Sequence, residues 1–214
     1  MKPFTAFLTR LAEYNSQASH PITWSGQYIN RNELQFKTDV EQYFQLLKQS
    51  GAEGLTIGIE TGSNYVLKHM NKKTTVESLF FELEYFRKYN ISCKLLTFVG
   101  HWSERLEDFE NHCQMLYNLV PYVRSGTVSS ISLGLVYKII DGTPAAYNLN
   151  LLRNKKDINL WLPRNNRGNT LRTRLQRRLI TSLLSQRLRF PTSDEEIEFL
   201  QFDSEYIRNK IGRA

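Results

Sequence analysis

The sequence predicts an α/β fold in which β strands and α helices alternate along a parallel sheet or barrel. Strand-like apolar segments are separated by longer segments whose apolar residues recur at helical spacing. The strand-like segments begin about every 32 to 39 residues, which is the spacing of a repeated strand–helix unit. The four strand-like segments are 22–29, 54–60, 93–100 and 129–140.

Helices are predicted from capping residues and from the apolar residues that follow them. Segment 3–14 is expected to form a helix before the first strand. Thr38 and Thr74 each stand three residues before a glutamate, which is the pattern of a capping box at a helix N-terminus. Ser103 is expected to cap the helix that follows the third strand.

The strands have one apolar face and one face of small and polar residues. On the second strand these residues alternate strictly: Leu55, Thr56, Ile57, Gly58, Ile59 and Glu60. A parallel strand that is buried on both faces usually reads as a continuous apolar run. We therefore expect helices to cover the apolar face, and the polar face to line a cavity, as in an open barrel that holds a ligand. The third strand, with Leu95, Thr97 and Val99, fits this pattern less well.

Polar residues also follow the strands at their carboxyl ends, where parallel α/β folds place their functional groups. Glu60, Gly100–His101 and Asp141 occupy such positions. The position of Glu60 is that of a ligand-binding residue, but it is equally that of a helix N-cap or of an acidic side chain in a solvated loop.

The positive charge is concentrated near the C-terminus. The chain has a formal net charge of +7, and residues 151–190 contain 11 basic side chains and one acidic one. From residue 170 onward, leucines at helical spacing predict an amphipathic helix with arginines on its other face. Such a helix fits a nucleic-acid or membrane-surface element, or a helix packed on the barrel wall with a solvated basic face. An acidic run, 194–198, follows it.

The remaining composition excludes several protein classes. Cys93 and Cys113 are the two cysteines, their spacing fits no metal motif, and we interpret them as buried thiols. No apolar run reaches the roughly 18 residues of a membrane span. The N-terminal segment carries Arg10 and Glu13 and lacks a small-residue cleavage site, so no signal peptide is recognised and a cytoplasmic protein is expected.

Four segments, in order, resemble motifs of the radical S-adenosylmethionine (SAM) family. Segment 57–74, IGIETGSNYVLKHMNKKT, resembles the family's fourth-strand motif, which often reads G-(I/V)-E-S-G-S-x-x-V-L-x-x-M-x-K/R. LLTFVGHWSERLEDF is similar to the next unit, with its V-G-F-P-x-E-T and E-D-F. SISLGLVYKIIDGTP resembles the sixth strand and its G-T-P exit, and ITWSGQYINR resembles the third strand. The resemblance covers about residues 1–150. It is nearest to the branch that often carries a cobalamin-binding domain upstream, and to methylthiotransferase-like barrels.

The resemblance implies a SAM site on the polar face. Glu60 would contact the ribose hydroxyls or the amino group, and Lys72 would pair with the methionyl carboxylate. Val99 and Gly100 would pass close to the adenine. The full set of cofactor-binding residues that the resemblance implies is Ser25, Gln27, Gly58, Glu60, Lys72, Val99, Gly100 and His101.

The sequence departs from the family pattern in two respects. It contains no C-x-x-x-C-x-x-C loop, whose three cysteines hold the 4Fe–4S cluster of the family, and no glycine-rich second-strand motif. His101-Trp102 replaces the common Phe-Pro. We therefore expect residues 1–150 to form about four of the six strands of the barrel, with 151–214 as a helical extension that is basic and then acidic. The missing N-terminal half, or another chain, would complete the barrel, and the chain alone is expected to be poorly soluble because its first strand leaves an open edge.

Three functional hypotheses follow. In the first, the chain is part of a radical SAM enzyme that uses a 4Fe–4S cluster and acts on an unidentified substrate. A cobalamin site in an upstream domain is a further option for this enzyme. Alternatively, the chain is a cluster-free protein that binds SAM or a partner. In the third hypothesis, it is an RNA-binding protein that uses residues 151–190.

Overall fold

A computed structural model of the protein describes residues 2–30, 32–36, 39–136, 151–154, 157–163 and 170–191. Helices and strands alternate through most of this range. None of the described helices combines the length and the apolar composition that a membrane crossing requires. The elements are α1 (Lys2–Gln17), β1 (Gln27–Tyr28), a 3₁₀ helix (Asn32–Phe36), α2 (Val40–Gln49), β2 (Leu55–Glu60), α3 (Asn64–His69), α4 (Val76–Lys88), β3 (Cys93–Val99), α5 (Leu106–Arg124), β4 (Val128–Val136), β5 (Leu151–Asn154), β6 (Asp157–Pro163) and α6 (Leu171–Leu188).

The structure confirms an α/β fold with a parallel sheet. The four strands lie in the order β1-β2-β3-β4 and every pairing is parallel. Each neighbouring pair is joined by at least one helix, as parallel connections require. The first strand is shorter than the predicted segment 22–29, although an isolated bridge between Trp24 and Ala52 extends its pairing with the chain before β2.

The two faces of the sheet differ as the alternation predicts. Leu55, Ile57 and Ile59 are buried against the helices, and each such side chain contributes about 1.5–3 kcal/mol to stability. The opposite face, here called the open face, is partly exposed. It consists of Gln27, Thr56, Gly58, Lys94, Leu96, Phe98, Ser130 and Ser132, which are placed on one side by the parallel register.

The misfit of the third strand is explained by which of its residues face the helices. Leu95, Thr97 and Val99 are buried on the helix side. The open face of this strand consists instead of Lys94, Leu96 and Phe98, and Leu96 is 42 % exposed there. The open face therefore has an apolar part on β3 beside the small and polar residues of β2.

The predicted caps are displaced by one or two residues. Thr75, not Thr74, caps α4, and its partner in the capping box is Ser78 rather than Glu77. Helix α5 begins after Arg105 rather than Ser103, because Asp108 accepts a hydrogen bond from the Arg105 backbone N–H. Before α2, the Asp39 side chain makes no capping hydrogen bond, and Thr38 lies outside the described residues.

The predicted orientation of the C-terminal helix is only partly right, since Leu184 lies in the core but other leucines do not. Arg174, Arg177 and Arg178 are buried, whereas Leu179 and Leu183 are 52 % and 56 % exposed. Arg177 is buried with partners, because the loop after β3 offers it a carboxylate and a carbonyl oxygen. The nucleic-acid surface on 151–190 stays a prediction. In the region of α6, its exposed arginines are Arg172 and Arg187 on the helix and Arg189 directly after it.

The C-terminal region was expected to be helical, but its first described part is an antiparallel hairpin of β5 and β6. Alternation in the segment Asp157–Pro163, sequence DINLWLP, is the signal that indicates a strand there. The predicted domain boundary at residue 150, the residue Asp141 and the acidic run 194–198 lie outside the described residues.

Candidate functional site

The carboxyl end of β2 turns sharply at Glu60. The Thr61 N–H donates a hydrogen bond to the Ile59 carbonyl oxygen, 2.7 Å away, so the turn closes around Glu60. Glu60 has a φ of 63°, a conformation that is uncommon for a residue with a side chain. The register with β3 also skips a residue between Gly58 and Glu60. Backbone strain of this kind is often found at functional sites.

This turn places the Glu60 carboxylate over Gly58 on the open face. A Cβ atom at position 58 would lie 2.9 Å from Glu60 Oε1. Gly58 therefore leaves the room in which the carboxylate lies, and any larger residue there would displace it.

Lys72 meets Glu60 directly. Its Nζ lies 2.6 Å from Glu60 Oε1, and the two side chains are 40 % and 21 % exposed. Lys72 is brought there by the end of α3, where Asn71 has a φ of 57° and the Lys72 N–H donates to the Leu67 carbonyl oxygen. Among the described residues, no hydrogen-bond donor other than Lys72 is seen for the Glu60 carboxylate.

Helix α5 holds the turn that follows Glu60. A Cβ on Gly62 would lie 2.7 Å from His112 Cα and 2.8 Å from the Asn111 carbonyl oxygen, so only glycine allows this approach. Ser63 caps α3 and also donates to Asp108 Oδ1 at 2.6 Å. These buried contacts fix the Thr-Gly-Ser turn, and with it the position of Glu60.

His112 contributes a buried hydrogen bond to the same turn. Its Nδ1 accepts from the Gly62 N–H at 3.2 Å, so the neutral imidazole carries its proton on Nε2. Burial lowers the pKa of His112 from 6.5 to about 4. The ring is therefore neutral at physiological pH and serves the turn as an acceptor.

The second loop of the site follows β3. Gly100 has a φ of 82°, and its N–H donates to Glu104 Oε2 at 3.0 Å. His101 is buried, its Nδ1 lies 2.8 Å from Ser103 Oγ, and burial, with a smaller contribution from His69, lowers its pKa from 6.5 to about 3. His101 is thus neutral at physiological pH and lies buried within this loop.

Aromatic rings connect the two loops. The His69 ring at the end of α3 lies 5.4 Å from the Trp102 ring, and Trp102 lies 5.2 Å from His101. Tyr65 packs against His69 at 4.4 Å. The segments that carry Lys72 and Gly100 therefore contact each other along this edge of the sheet.

The structure brings together part of the predicted set. Gly58, Glu60 and Lys72 are in contact, and the pairing of Gln27 with Thr56 places Gln27 on the same open face. Ser25 is exposed at the strand edge. Val99 is different, because its side chain is buried on the helix side. The cofactor role of the eight residues stays a prediction.

Sequence reasoning missed the residues that support these loops, namely Gly62, Glu104, Asp108, His112, Arg174 and Arg177. Glu104 aligns with the glutamate of V-G-F-P-x-E-T, and Asp108 with the aspartate of E-D-F, so the motifs of the resemblance could have indicated both residues. The contributions of Arg174 and Arg177 depend on contacts far along the chain, for which the local pattern gave no signal.

The cysteines do not fit a 4Fe–4S cluster. The sequence has two of them, and a cluster of this kind is usually held by several thiolates. Cys93 is buried on the helix side, where burial raises its pKa to about 12. Among the residues that the structure describes, no three His, Cys, Asp or Glu side chains form a potential metal site.

A separate cavity of about 800 Å³ lies near the opposite end of the strands, between α1 and α2. Residues such as Asn15, Ile22 and Gly51 line it. None of the eight candidate residues does. Its position at the amino ends of the strands argues against a catalytic role, since parallel α/β folds use the carboxyl ends.

Comparisons with known proteins show a likeness of fold. No family model matches the sequence, and no curated protein does. Among solved structures, the chain is similar to the radical SAM methyltransferase TsrM from Kitasatospora setae, solved with cobalamin and a [4Fe-4S] cluster bound. The TM-score is 0.52 and the identity 15 %, and the match covers 68 % of this chain but 27 % of TsrM.

A second similar structure is the cobalamin-dependent SAM radical enzyme OxsB with aqua-cobalamin bound, at a TM-score of 0.44 and 17 % identity. That match covers 64 % of this chain and 19 % of OxsB. The likeness to TsrM confirms the predicted resemblance at the level of fold: the chain has the fold of part of a radical SAM enzyme.

Proposed function

We propose that this chain is the SAM-binding part of a radical SAM barrel, with the open face as the binding surface. The observation that carries the proposal is the Glu60 carboxylate, which is held over Gly58 at the carboxyl end of β2 by a turn of positive φ. A carboxylate accepts from two hydroxyls or from an ammonium group, and SAM offers both in its ribose and its methionyl end.

The Glu60–Lys72 ion pair fits this proposal as the ligand-free state of the site. A partly exposed pair of this kind contributes about 0–1 kcal/mol, so its loss costs little. A zwitterionic ligand can replace it by giving Glu60 a donor and Lys72 a carboxylate. Gly58, Gln27 and Ser25 would then lie along the ligand on the open face, and Gly100–His101 would lie at its adenine end.

The edge of the sheet at β1 supports a second part of the proposal, that another segment completes the barrel. Within the described residues, β1 pairs with β2 alone. Ile29, which directly follows β1, is 70 % exposed, and Phe36 at the end of the 3₁₀ helix is 81 % exposed. We propose that a further strand–helix segment, from residues outside this sequence or from another chain, covers these side chains and completes the barrel. Cluster ligands, and with them any reductive cleavage of SAM, would have to come from the same source.

The test is SAM binding to the 214-residue chain, measured by isothermal titration calorimetry. E60Q and K72M are each expected to weaken binding by at least about tenfold, since each removes one charged contact worth roughly 1.4 kcal/mol or more. K68M and E53Q are the matched controls, because Lys68 and Glu53 are exposed residues of the same types outside the site. Equal affinity in E60Q, K72M and the wild type would refute the proposal.

The presence of only two cysteines favours one other candidate, a cluster-free SAM-binding protein. The iron content of the isolated protein distinguishes this candidate from the radical SAM enzyme. The protein would be isolated under anaerobic conditions from the cells that produce it, together with whatever it binds. Stoichiometric iron and sulfide in that complex would support the enzyme, and iron-free material that binds SAM would support the second candidate.

A further inference from the structure

The loop between Gly100 and Glu104 is closed by its own last residue. Glu104 Oε2 accepts from the Gly100 N–H at 3.0 Å, and the Glu104 N–H donates to the His101 carbonyl oxygen at 2.9 Å. The Glu104 side chain is buried. Its carboxylate therefore fixes the backbone at the point where β3 ends.

A residue 73 positions away completes this arrangement. Arg177 of α6 donates through Nη1 to Glu104 Oε1 at 2.7 Å and to the Glu104 carbonyl oxygen at 3.2 Å. The two side chains are 8 % and 1 % exposed, so the pair is shielded from water. The Arg177 guanidinium also lies 5.6 Å from the centre of the Phe109 ring. Burial raises the pKa of Glu104, and the Arg177 guanidinium and the Gly100 N–H oppose this rise because both stabilise the carboxylate.

The same helix contacts Gly100 itself. A Cβ at position 100 would lie 2.8 Å from both Cγ and Cδ of Arg174. Gly100 thus lies against the aliphatic part of Arg174 while its N–H is held through Glu104. Helix α6 therefore contacts the end of β3 by two independent routes.

We infer that α6 is the element that positions the Gly100–Glu104 loop for the ligand, and that Arg177 is its positioning residue, acting through Glu104. The inference rests on the proposed function for its ligand, SAM. It gives Arg174 and Arg177 of the basic C-terminal segment a task inside the molecule.

The test compares four variants of the full 214-residue chain. R177M removes the guanidinium and retains much of its volume, and R177K retains a donor for Glu104 Oε1. R172M removes an arginine that is exposed in the first turn of the same helix. L184A removes a core contact of α6 and controls for a general loss of stability. All measurements are made at a temperature at which every variant is folded by circular dichroism.

Two signals are read. The first is the ¹⁹F resonance of Trp102 in protein labelled with 5-fluorotryptophan, because Trp102 lies inside the loop and the chain has only three tryptophans. The second is the affinity for SAM. R177M is expected to shift or broaden the Trp102 resonance and to weaken SAM binding by roughly tenfold, as the loss of a supporting residue behind a binding group commonly does. R177K should recover part of both, and R172M and L184A should leave both unchanged.

The outcomes separate this inference from the proposed function. Trp102 and SAM binding that are unchanged in R177M would overturn the inference, as would an L184A variant that reproduces both effects. A wild-type chain that binds no SAM would refute the proposed function. In that case, a Trp102 shift specific to R177M would still establish the positioning of the loop, and an unshifted resonance would overturn it.

Discussion

Lys72 and Glu60, 12 residues apart in sequence, form an ion pair of 2.6 Å at the carboxyl end of β2. The pair joins the strand to the loop after α3. Because both side chains are partly exposed, K72M is expected to lower the free energy of unfolding by at most about 1 kcal/mol. Urea denaturation measures this. A loss of several kcal/mol would show that the pair is a structural support and would argue against an exchangeable binding site.

Glu60 has an unfavourable backbone conformation, which gives a second prediction. Its φ is 63°, and a residue with a Cβ is destabilised there by roughly 1–2 kcal/mol relative to glycine. E60G should therefore be more stable than E60A by about 1 kcal/mol, although both variants lack the carboxylate. The two urea midpoints are compared directly. If E60A equals or exceeds E60G in stability, the turn around Glu60 is not strained as described.

Gly62 gives a prediction about packing. G62A places a methyl group within 2.8 Å of the α5 backbone and is expected to cost about 1–3 kcal/mol. G26A is its control, because the nearest atom to a Cβ there is a Trp24 ring carbon at 3.9 Å, which is an ordinary contact. Equal thermal midpoints for the two variants would contradict the close approach of α5 to the Thr-Gly-Ser turn.

A substitution at Gly58 is expected to affect SAM binding without lowering the stability of the fold. A methyl group at this position meets only the flexible end of Glu60, so G58A should leave the free energy of unfolding unchanged or raise it by about 0.4–1 kcal/mol. It should nevertheless weaken SAM binding, because the Glu60 carboxylate must move. Calorimetry on G58A and G26A tests this, and a G58A variant with wild-type affinity would exclude the space over Gly58 as part of the site.

The buried histidine His112 predicts a pH dependence of stability. Its pKa is about 4 in the folded chain and close to 6.5 when unfolded, so the unfolded state binds the extra proton between these values. Stability is therefore present above pH 6.5 and is lost as the pH falls toward 4, by up to about 1.4 kcal/mol per pH unit from this residue.

H112N isolates that contribution, since an asparagine oxygen can still accept from the Gly62 N–H but does not titrate. Between pH 6 and 4.5, the free energy of unfolding should change less steeply with pH in H112N than in the wild type. The difference in slope should be up to about 1.4 kcal/mol per pH unit, which corresponds to one proton. Parallel curves for H112N and the wild type would show that folding does not lower the pKa of His112.

The faces of the strands could be predicted from sequence because side chains on a strand alternate. Leu55, Ile57 and Ile59 were assigned to the core, and the structure buries them. The same pattern placed Glu60 at a strand end and Gly58 on the open face. It could not show that Lys72 reaches Glu60 directly, because that contact depends on the positive φ values of Glu60 and Asn71.

The orientation of α6 could not be predicted from the spacing of its leucines. An arginine can bury its long stem and its charge when a partner is present, as Arg177 does with Glu104. That partner is supplied by a loop 73 residues earlier. The cap of α4 was misplaced for a simpler reason, since Thr74 and Thr75 are adjacent and either can cap a helix.

The most direct measurement is a titration of the ¹⁵N-labelled chain with SAM, followed by amide chemical shifts. Binding at the open face predicts perturbed amides at Gly58, Glu60, Gly100 and His101. Perturbations confined to the cavity between α1 and α2, at Asn15, Ile22 and Gly51, would contradict the account. A titration that perturbs no amide would also contradict it.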